Sequence, residues 1–502
     1  MKIVKSKGLN ESENRLTKLG DKVFLDLWSY PNVFYKDKTP KEFADLLVVC
    51  GNNIIIFSDK EIKFNKDIDI AKAWRRWENK AILSSIKQLN KAEHRLINHK
   101  DRLFLDAKYT QPFPIDLPNI ENMKIYLICV ANGVKSACEE FYGPRCSGSL
   151  RFTDADLDIG ESALSIPLTD LPLFRAKDYN CKKRFIHVFD DVTLPFVLDK
   201  LDTITDFVEY LDKKETFLRC GASITYTGEE DLLLIYLANK KSFPYNKNVN
   251  KYFFSEEDWF SFESRPDYRS KILANHKSYT WDRLIKTCAM YRLNDEGKTV
   301  VPKGKEKHEG ALRYMALEHR LGRRFIAERL HYAFSSYNLQ EEKDAFPIHL
   351  TYFTSLTTPN LWYVILQIPQ LQNETYDKYR ERRAETLSVY CQCAKAKAVS
   401  EGYILDKVVG IALEPPKQNN LSMSEDLMLV DFNNWSEENQ KEFENVRKIL
   451  NIFTVPLDAA PRAKVQEYPF AKEEKKKIKR NSDCPCGSGK KYKKCCLINK
   501  RN

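Results

Sequence analysis

Long apolar runs are missing from this 502-residue sequence. It contains no stretch of about 18 consecutive apolar residues, so it does not predict a transmembrane helix. Its first twenty residues, MKIVKSKGLNESENRLTKLG, lack the continuous apolar segment of a secretory signal. These two absences together predict a cytoplasmic protein that does not engage a membrane.

Two common catalytic motifs are also missing. The sequence has no G-x-x-x-x-G-K-[ST] phosphate-binding loop, which argues against an ATPase motor. It has no G-x-S-x-G motif, and residue order alone does not define a Ser-His-Asp triad. In the reducing cytosol, its thirteen cysteines are expected to be free thiols or metal ligands rather than a disulfide framework.

The chain is long, and its positive charge is unevenly distributed. It exceeds the size of one ordinary hydrophobic core, so several domains are expected, and 43% hydrophobic residues is enough to build them. The formal net charge is +11, and residues 472–502 carry +9 of it, from twelve Lys or Arg and three Asp or Glu. We expect this tail either to attract polyanions or to be a solvated, flexible tether.

Four cysteines lie close together in the tail stretch SDCPCGSGKKYKKCC, residues 482–496. They form two close pairs, Cys484, Cys486, Cys495 and Cys496. A tetrahedral zinc ion takes four such ligands, and the Gly-Ser-Gly link lets the chain fold back between the pairs. The stretch CPCGSGKKYKKCC resembles the SEC-C motif, the zinc-binding tail of the ATPase of the bacterial Sec translocase. The resemblance implies a structural Zn²⁺ and an accessory module that docks a ribosome or protein partner; the alternative is a set of surface thiols.

The first 131 residues alternate between helical and strand-like patterns. Leu16, Leu19 and Val23 recur at spacings of three and four, which predicts a helix. Three β-rich segments follow, VFLDLWSY, FADLLVVC and IIIFSDK, and the Gly-Asn-Asn between the last two predicts a hairpin. A helical pattern covers 70–96, and KIYLICVA at 124–131 predicts another strand. The expected order is therefore α-β-β-β-α-β.

This order, over residues 10–131, resembles the core of the PD-(D/E)XK nucleases, especially their Mrr-like branch. The resemblance matches Asp45, which opens DLLVV, to the metal-binding acid, and Lys60, which ends SDK, to the catalytic lysine. It matches Glu13 to the acid of the first helix, and Gln88 on the following helix is expected to face the same pocket. Carboxylates of this kind suit Mg²⁺ or Mn²⁺, and such an ion would assist phosphodiester cleavage.

The sequence departs from the nuclease pattern at Ser58, where the family carries an acidic residue or Gln. Asp59 is one position away, and alternation along a strand points it to the opposite face. Either another ligand set operates or the core has lost its activity.

Each matched residue also has a purely structural interpretation. Glu13 could cap the first helix, because it follows Asn10 by three residues. Asp45 could be a plain strand-entry residue and Lys60 an exposed strand-end lysine. Gln88 could be an ordinary surface residue.

The rest of the chain predicts a mixed middle region and a second α/β region. The Glu-rich start of TGEEDLLLIYLANK is expected to be a solvated helix end. Arg-rich helical stretches at 311–337 and 376–402, and Trp74 with Trp77, could contact nucleic acid; a solvated helix face and a core position are their alternatives. We place domains at 1–131, 132–339 and 340–460, a basic linker at 461–481 and the zinc module at 482–498.

The predicted fold class is mixed α/β and multidomain, with a restriction-endonuclease-like α-β-β-β-α-β core, a second α/β region and a small zinc module. Two functions fit this organisation. The first is a metal-dependent nuclease acting on DNA or RNA, in defence against foreign nucleic acid or in repair. The second is a non-enzymatic, zinc-tailed adaptor that binds ribosomes, chaperones or other proteins.

Overall fold

The computed structural model describes residues 5, 8, 10–143, 146–153, 173–255, 259–294, 305–340, 348–415, 425–458, 465–469 and 491. The four predicted zinc ligands lie outside these residues. No helix within the described ranges combines the length and the hydrophobicity needed to traverse a lipid bilayer. The nine cysteines that are described are free thiols, as the sequence predicts.

The described elements form a mixed α/β chain, which confirms the predicted fold class. The helices are Glu11–Val23 (α1), Ile70–Glu78 (α2), Ser84–His99 (α3), Lys135–Tyr142 (α4), Thr193–Lys200 (α5), Ile204–Leu218 (α6), Glu229–Ala238 (α7), Trp259–Ser264 (α8), Pro266–Asn294 (α9), Lys305–Leu317 (α10), Arg320–Gln340 (α11), Tyr376–Ser400 (α12) and Glu437–Ile449 (α13). The strands are Ser29–Tyr35 (β1), Lys41–Cys50 (β2), Asn53–Glu61 (β3), Leu103–Phe104 (β4), Lys124–Asn132 (β5), Arg151–Thr153 (β6), Arg175–Ala176 (β7), Ile186–Phe189 (β8), Ser223–Tyr226 (β9), Lys251–Phe254 (β10), His349–Thr354 (β11), Leu361–Gln367 (β12), Lys407–Leu413 (β13) and Glu425–Asp431 (β14).

The first sheet has the strand order β4-β1-β2-β3-β5-β8. β1, β2 and β3 are antiparallel neighbours, and β3 pairs in parallel with β5 after the crossover through α2 and α3. The predicted order α-β-β-β-α-β is therefore present in residues 11–132, with the second helical element divided into α2 and α3 and the two-residue strand β4 inserted before β5. The β2–β3 hairpin turns at Gly51, whose φ of +62° suits glycine, and Cys50 pairs with Asn53 across the turn.

The helix α1 packs against one face of this sheet. Asn10 caps its first turn by accepting a hydrogen bond from the Glu13 amide. At Gly20 the helix lies so close to the sheet that an added Cβ would stand 2.7 Å from Ser29 Oγ and 2.8 Å from Leu46 Cδ2. The opposite face of the sheet is covered by α2 and α3, so the sheet is buried on both sides.

The first strand begins later than the sequence predicts. The segment VFLDLWSY was expected to be a strand, but β1 starts only at Ser29. Residues 24–28 instead form a turn after α1 that is buried except at Asp26, and Leu25 in this turn has a φ of +64°. Phe24, Leu27 and Trp28 fill the core between α1 and the sheet, so their β propensity reflects burial rather than strand pairing.

The last strand of the first sheet comes from residues beyond 131. β8 pairs in parallel with β5, although the sequence places residues 186–189 in the middle region. A second sheet, β10-β9-β6-β7, lies within residues 151–254. One continuous apolar cluster then joins α1 and the first sheet to α9, α10 and α11 and to the third sheet.

The third sheet confirms the predicted second α/β region. Its strand order is β11-β12-β13-β14, and the long helix α12 connects the parallel neighbours β12 and β13. The basic helical stretch before it, residues 311–337, is interrupted at residues 318–319, between α10 and α11. The side chain of Glu318 turns inward there and accepts hydrogen bonds from Thr357 and Tyr363.

Candidate active site

Asp45 and Lys60 lie side by side where β2 and β3 separate. The strand pairing runs from Cys50–Asn53 to Leu46–Phe57 and stops there. Beyond that point, Asp45 Oδ2 accepts a hydrogen bond of 2.5 Å from the Asp59 amide and lies 3.6 Å from Lys60 Nζ. The Asp45 side chain is 2% exposed and the Lys60 side chain 30% exposed. A buried carboxylate is thus held beside an ammonium group that still reaches solvent.

Asp59 faces the other side of the sheet, as strand alternation predicts. Its carboxylate accepts hydrogen bonds from Ser12 on α1, at 2.5 Å, and from Asn132 on β5, at 2.6 Å. The pKa of Asp59 is raised to about 6, mainly by burial and also by the nearby charges of Asp45 and Glu13, while the Ser12 hydrogen bond and the charge of Lys60 oppose the increase.

Glu13 makes the capping contact that its structural interpretation predicts, and its carboxylate also lies near the other acids of the site. Its amide donates to Asn10 Oδ1 at 2.9 Å, and its carboxylate accepts from Asn10 Nδ2 at 2.6 Å, so the two residues form a reciprocal helix cap. The same carboxylate is close enough to Asp59 and Glu42 to raise the pKa of each. The capping role therefore does not remove Glu13 from the site.

Glu42 is a member of this site that the sequence argument missed. Its pKa is raised to about 7, mainly by burial and also by the charges of Asp45 and Glu13 and a hydrogen bond with Asp45, while the charge of Lys60 opposes the increase. Its Oε1 atom is buried and has no hydrogen-bond partner among the described residues. We refer to Glu13, Glu42, Asp45 and Asp59 as the acid cluster.

A β-bulge brings Glu42 to Asp45. Val33 pairs with Ala44, whereas the next residue, Phe34, pairs with Glu42, so Phe43 is an extra residue in β2. Strict alternation would point residues 42 and 45 to opposite faces. Because Phe43 is an extra residue, Glu42 and Asp45 point to the same face of the sheet. The bulge leaves no clear sequence signal, although an acid three residues before Asp45 was the one available hint.

Ser58 and Gln88 meet on the α3 side of the sheet. Ser58 is 0% exposed, and its hydroxyl donates to Gln88 Oε1 at 3.1 Å. Gln88 is half-buried and lines an open groove together with Glu42. The serine at the position of the expected acid therefore orients Gln88, which is not an isolated surface residue.

The acid cluster offers carboxylate oxygens, but not a preformed three-ligand metal cage. Within the described residues, no group of three His, Cys, Asp or Glu side chains is arranged to hold a metal ion. Mg²⁺ is usually held by one or two carboxylates together with waters and substrate phosphates. The adjacent Glu42 and Asp45 supply two carboxylates, and the unpartnered Glu42 Oε1 is a free ligand atom within this pair.

Several arginines of the arginine-rich helices lie inside the protein rather than on the solvated faces that the sequence suggested. Arg320 and Arg323 on α11 are buried and share Asp282, with nitrogen–oxygen distances of 2.8 and 2.6 Å. Arg380 and Arg383 on α12 are buried and both bind Asp426. Because these guanidinium groups are already paired inside the protein, they are not available to a phosphate backbone.

The acids at the start of α7 and the paired tryptophans are also buried in the protein. Glu229 was expected to be solvated, but it is 4% exposed and accepts from Tyr210 at 2.7 Å and from Lys214 at 2.6 Å. Trp74 and Trp77 stack on each other with ring centroids 5.3 Å apart and are core residues, as the structural alternative predicts.

Part of the predicted linker is docked on the rest of the protein. Glu467 lies 2.6 Å from Lys271 Nζ and 3.5 Å from Lys241 Nζ, and the Tyr468 hydroxyl donates to the Leu237 carbonyl at 2.9 Å. Burial opposes ionisation of Glu467, but the two lysines outweigh it and lower its pKa. Residues 465–469 therefore pack against the rest of the protein rather than forming a free tether.

The comparisons with known proteins match the tail. Residues 480–497 match the SEC-C motif, so the predicted zinc-binding motif is present at that position. The chain is 45% identical over 62 residues to the protein translocase subunit SecA of Desulforudis audaxviator, covering 11% of this chain and 7% of that protein. It is 52% identical over 56 residues to SecA of Desulforamulus reducens, covering 9% and 6%. The chain therefore spans less than a tenth of these curated relatives, and no solved structure matches it.

Proposed function

We propose that this protein is a metal-dependent nuclease whose active site is the acid cluster with Lys60. The observation that carries the proposal is the convergence of Glu42 and Asp45 beside Lys60, at the point where β2 and β3 separate. This convergence occurs within an α-β-β-β-α-β core of the order expected for PD-(D/E)XK nucleases. Defence against foreign nucleic acid, or repair, would be the setting of such an activity.

Glu42 and Asp45 are the residues that would hold Mg²⁺ or Mn²⁺. Their like charges lie close together and favour protonation of Glu42, a repulsion that a divalent cation would relieve. When bound, such a cation polarises the scissile phosphate and lowers the pKa of a water molecule. Glu13 and Asp59 add negative potential behind this pair, which favours a cation at the site.

Lys60 would stabilise the charge that develops on the phosphate oxygens. Its ammonium group is fixed by Asp45 at 3.6 Å yet remains partly exposed, so it can donate to a phosphate without losing that partner. Asp45 also keeps the backbone of residues 59 and 60 in position through the Asp59 amide. The carboxylate thus orients the lysine as well as binding the cation.

Lys60→Ala tests this proposal directly. The wild-type protein should cleave DNA or RNA with Mg²⁺ or Mn²⁺ and should stop when EDTA is added. Lys60→Ala should lower the cleavage rate about 10²- to 10³-fold, as expected for loss of one preorganised electrostatic group. Lys63→Ala, at an exposed position three residues away, is the matched control. Cleavage by Lys60→Ala at the wild-type rate would refute the assignment.

The tail supports a second candidate function, that of an adaptor. The SEC-C motif is a zinc-binding motif, and we propose that Cys484, Cys486, Cys495 and Cys496 hold one structural Zn²⁺, since four thiolates are a suitable ligand set for tetrahedral zinc. The zinc module and its basic surroundings would then dock a ribosome or protein partner. Cosedimentation with purified ribosomes tests this function. Binding lost in Cys484→Ser but kept in Asp45→Asn would favour the adaptor.

A further inference from the structure

A groove of about 350 Å³ runs beside the acid cluster, between the start of β2 and one face of α3. Its charged and polar lining comprises Lys41, Glu42, Ser84, Lys87, Gln88, Lys91 and Arg95. Glu42 joins this groove to Asp45, and Gln88 joins it to β3 through the hydrogen bond from Ser58. The groove therefore leads to the proposed catalytic residues.

The basic residues of α3 form a regular row along the groove. Lys87, Lys91 and Arg95 recur every four residues, which places them on one face of the helix and about 6 Å apart along its axis. Like charges at this spacing destabilise a helix. Their presence together is explained if a polyanion lies against them.

The neighbouring acids do not neutralise this row. Within the described residues, Lys87 and Lys91 are exposed and no ion pair involves either of them. Glu93, the nearest acid on α3, already forms an ion pair with Arg184, whose Nε lies 2.5 Å from Glu93 Oε1. At the other side of the groove Lys41 is partly neutralised by Asp37, at 2.7 Å. The strongest uncompensated positive charge thus lies on α3.

We propose that this groove binds the sugar–phosphate backbone of the substrate nucleic acid and guides it to the acid cluster, an inference that rests on the proposed function. Lys87, Lys91 and Arg95 contact successive phosphates, and Glu42 lies at the end where the scissile phosphate meets Asp45 and Lys60. The row of positive charges matches a regularly charged polymer and attracts it before catalysis begins.

The groove contacts phosphates rather than bases. Its one aromatic lining residue, Phe43, is 1% exposed and belongs to the core. The Tyr35 ring, which borders Arg95, is covered by that guanidinium at 4.7 Å from its centroid. The lining therefore offers no aromatic platform for stacking a base. Binding should depend weakly on sequence, because phosphate contacts position a nucleic acid without specifying it.

The test is the salt dependence of binding by the full-length Lys87→Ala/Lys91→Ala variant. Affinity for fluorescent duplex DNA, single-stranded DNA and RNA is measured in EDTA, so that cleavage cannot contribute. Loss of two phosphate contacts should reduce the slope of log K against log[salt] by about 1.8 for duplex and about 1.4 for single strands. Near 0.15 M salt the affinity should fall on the order of 10- to 30-fold. Alanine keeps high helix propensity, so α3 should remain folded.

The matched control is Lys441→Ala/Lys448→Ala, which removes two exposed lysines from α13 and should leave the slope unchanged. An unchanged slope in the α3 variant would refute nucleic-acid binding by the groove, whether or not the wild-type protein cleaves nucleic acid. A wild-type protein that does not cut, but whose binding falls in the α3 variant, would overturn the nuclease and keep the groove. If only polyglutamate binding falls, the ligand is an acidic protein segment and the nucleic-acid assignment is wrong.

Discussion

Asp45→Asn is the most informative single substitution in the acid cluster. It removes the charge but keeps the side-chain shape, and the amide oxygen can still accept the hydrogen bond from the Asp59 amide. If Asp45 holds the catalytic cation and orients Lys60, cleavage should fall at least about 10²- to 10³-fold. A purely structural strand-entry residue would predict no loss of cleavage, provided that the fold is kept.

The same substitution should cost little stability, and this can be worked out from the contacts. At 3.6 Å, the attraction between Asp45 and Lys60 is about 5 kcal/mol for an effective dielectric constant of about 20. Two gains offset this loss. The substitution ends the repulsion from Glu42 and Asp59, and it recovers the desolvation cost of a 2% exposed carboxylate, which amounts to several kcal/mol. Lys60 is partly exposed and can turn to water. The net change should lie within about 1 kcal/mol of zero, a Tm shift of less than about 4 °C.

Two measurements on the same preparation decide the outcome. Cleavage of labelled DNA and RNA is followed with Mg²⁺ or Mn²⁺, and thermal unfolding is followed by calorimetry. Asp67→Asn, at an exposed position of the same region, controls for the chemical change and for contaminating nucleases. Full cleavage by Asp45→Asn would refute the assignment. A large fall in Tm together with loss of cleavage would make Asp45 structural and favour the adaptor.

The remaining predictions concern the tail and Ser58. Cys484→Ser with Cys486→Ser should lose about one zinc per chain by elemental analysis, and zinc retained by the variant would contradict the ligand set. Truncation after Pro469, which ends the docked segment and removes +9 of charge, should flatten the salt dependence of nucleic-acid or ribosome binding; an unchanged slope would assign that affinity to the groove. Ser58→Glu should destabilise the protein by several kcal/mol in chemical denaturation, because the position is 0% exposed and hydrogen-bonded to Gln88, whereas a stable and more active variant would contradict this geometry.

Much of the fold was predictable because its signals are local. The hairpin follows from Gly-Asn-Asn between apolar runs, and the parallel pairing of β12 and β13 follows from a long helix between two β-rich segments. The start of β1 was not predictable, since Phe24, Leu25, Leu27 and Trp28 are buried for tertiary reasons and resemble a strand in composition. The sixth strand of the first sheet, β8, is paired with β5 across more than fifty residues, and short-range patterns do not reveal such contacts.

The candidate site was only partly predictable for a related reason. Position relative to a strand indicates Asp45, Lys60 and the opposite orientation of Asp59. Glu42 depends on a bulge, which is a property of strand pairing rather than of composition. The arginines of α11 and α12 were expected to face solvent, because charged side chains are usually exposed. They are buried instead because they pair with aspartates that are distant in sequence, which local patterns do not reveal.

The pairing of charges separates the acid cluster from a structural ion network of this chain. Glu229 is buried, but Lys214 and two tyrosine hydroxyls satisfy its carboxylate, so it requires no further ligand. In the acid cluster Glu42, Asp45 and Asp59 all lie near the charge of Lys60, and Glu42 Oε1 is left without a donor among the described residues. Such an arrangement destabilises the folded protein unless a cation balances it. An adaptor would have no use for this destabilising arrangement, whereas a site that binds a cation and a phosphate requires it. This difference is the physical reason to prefer the nuclease.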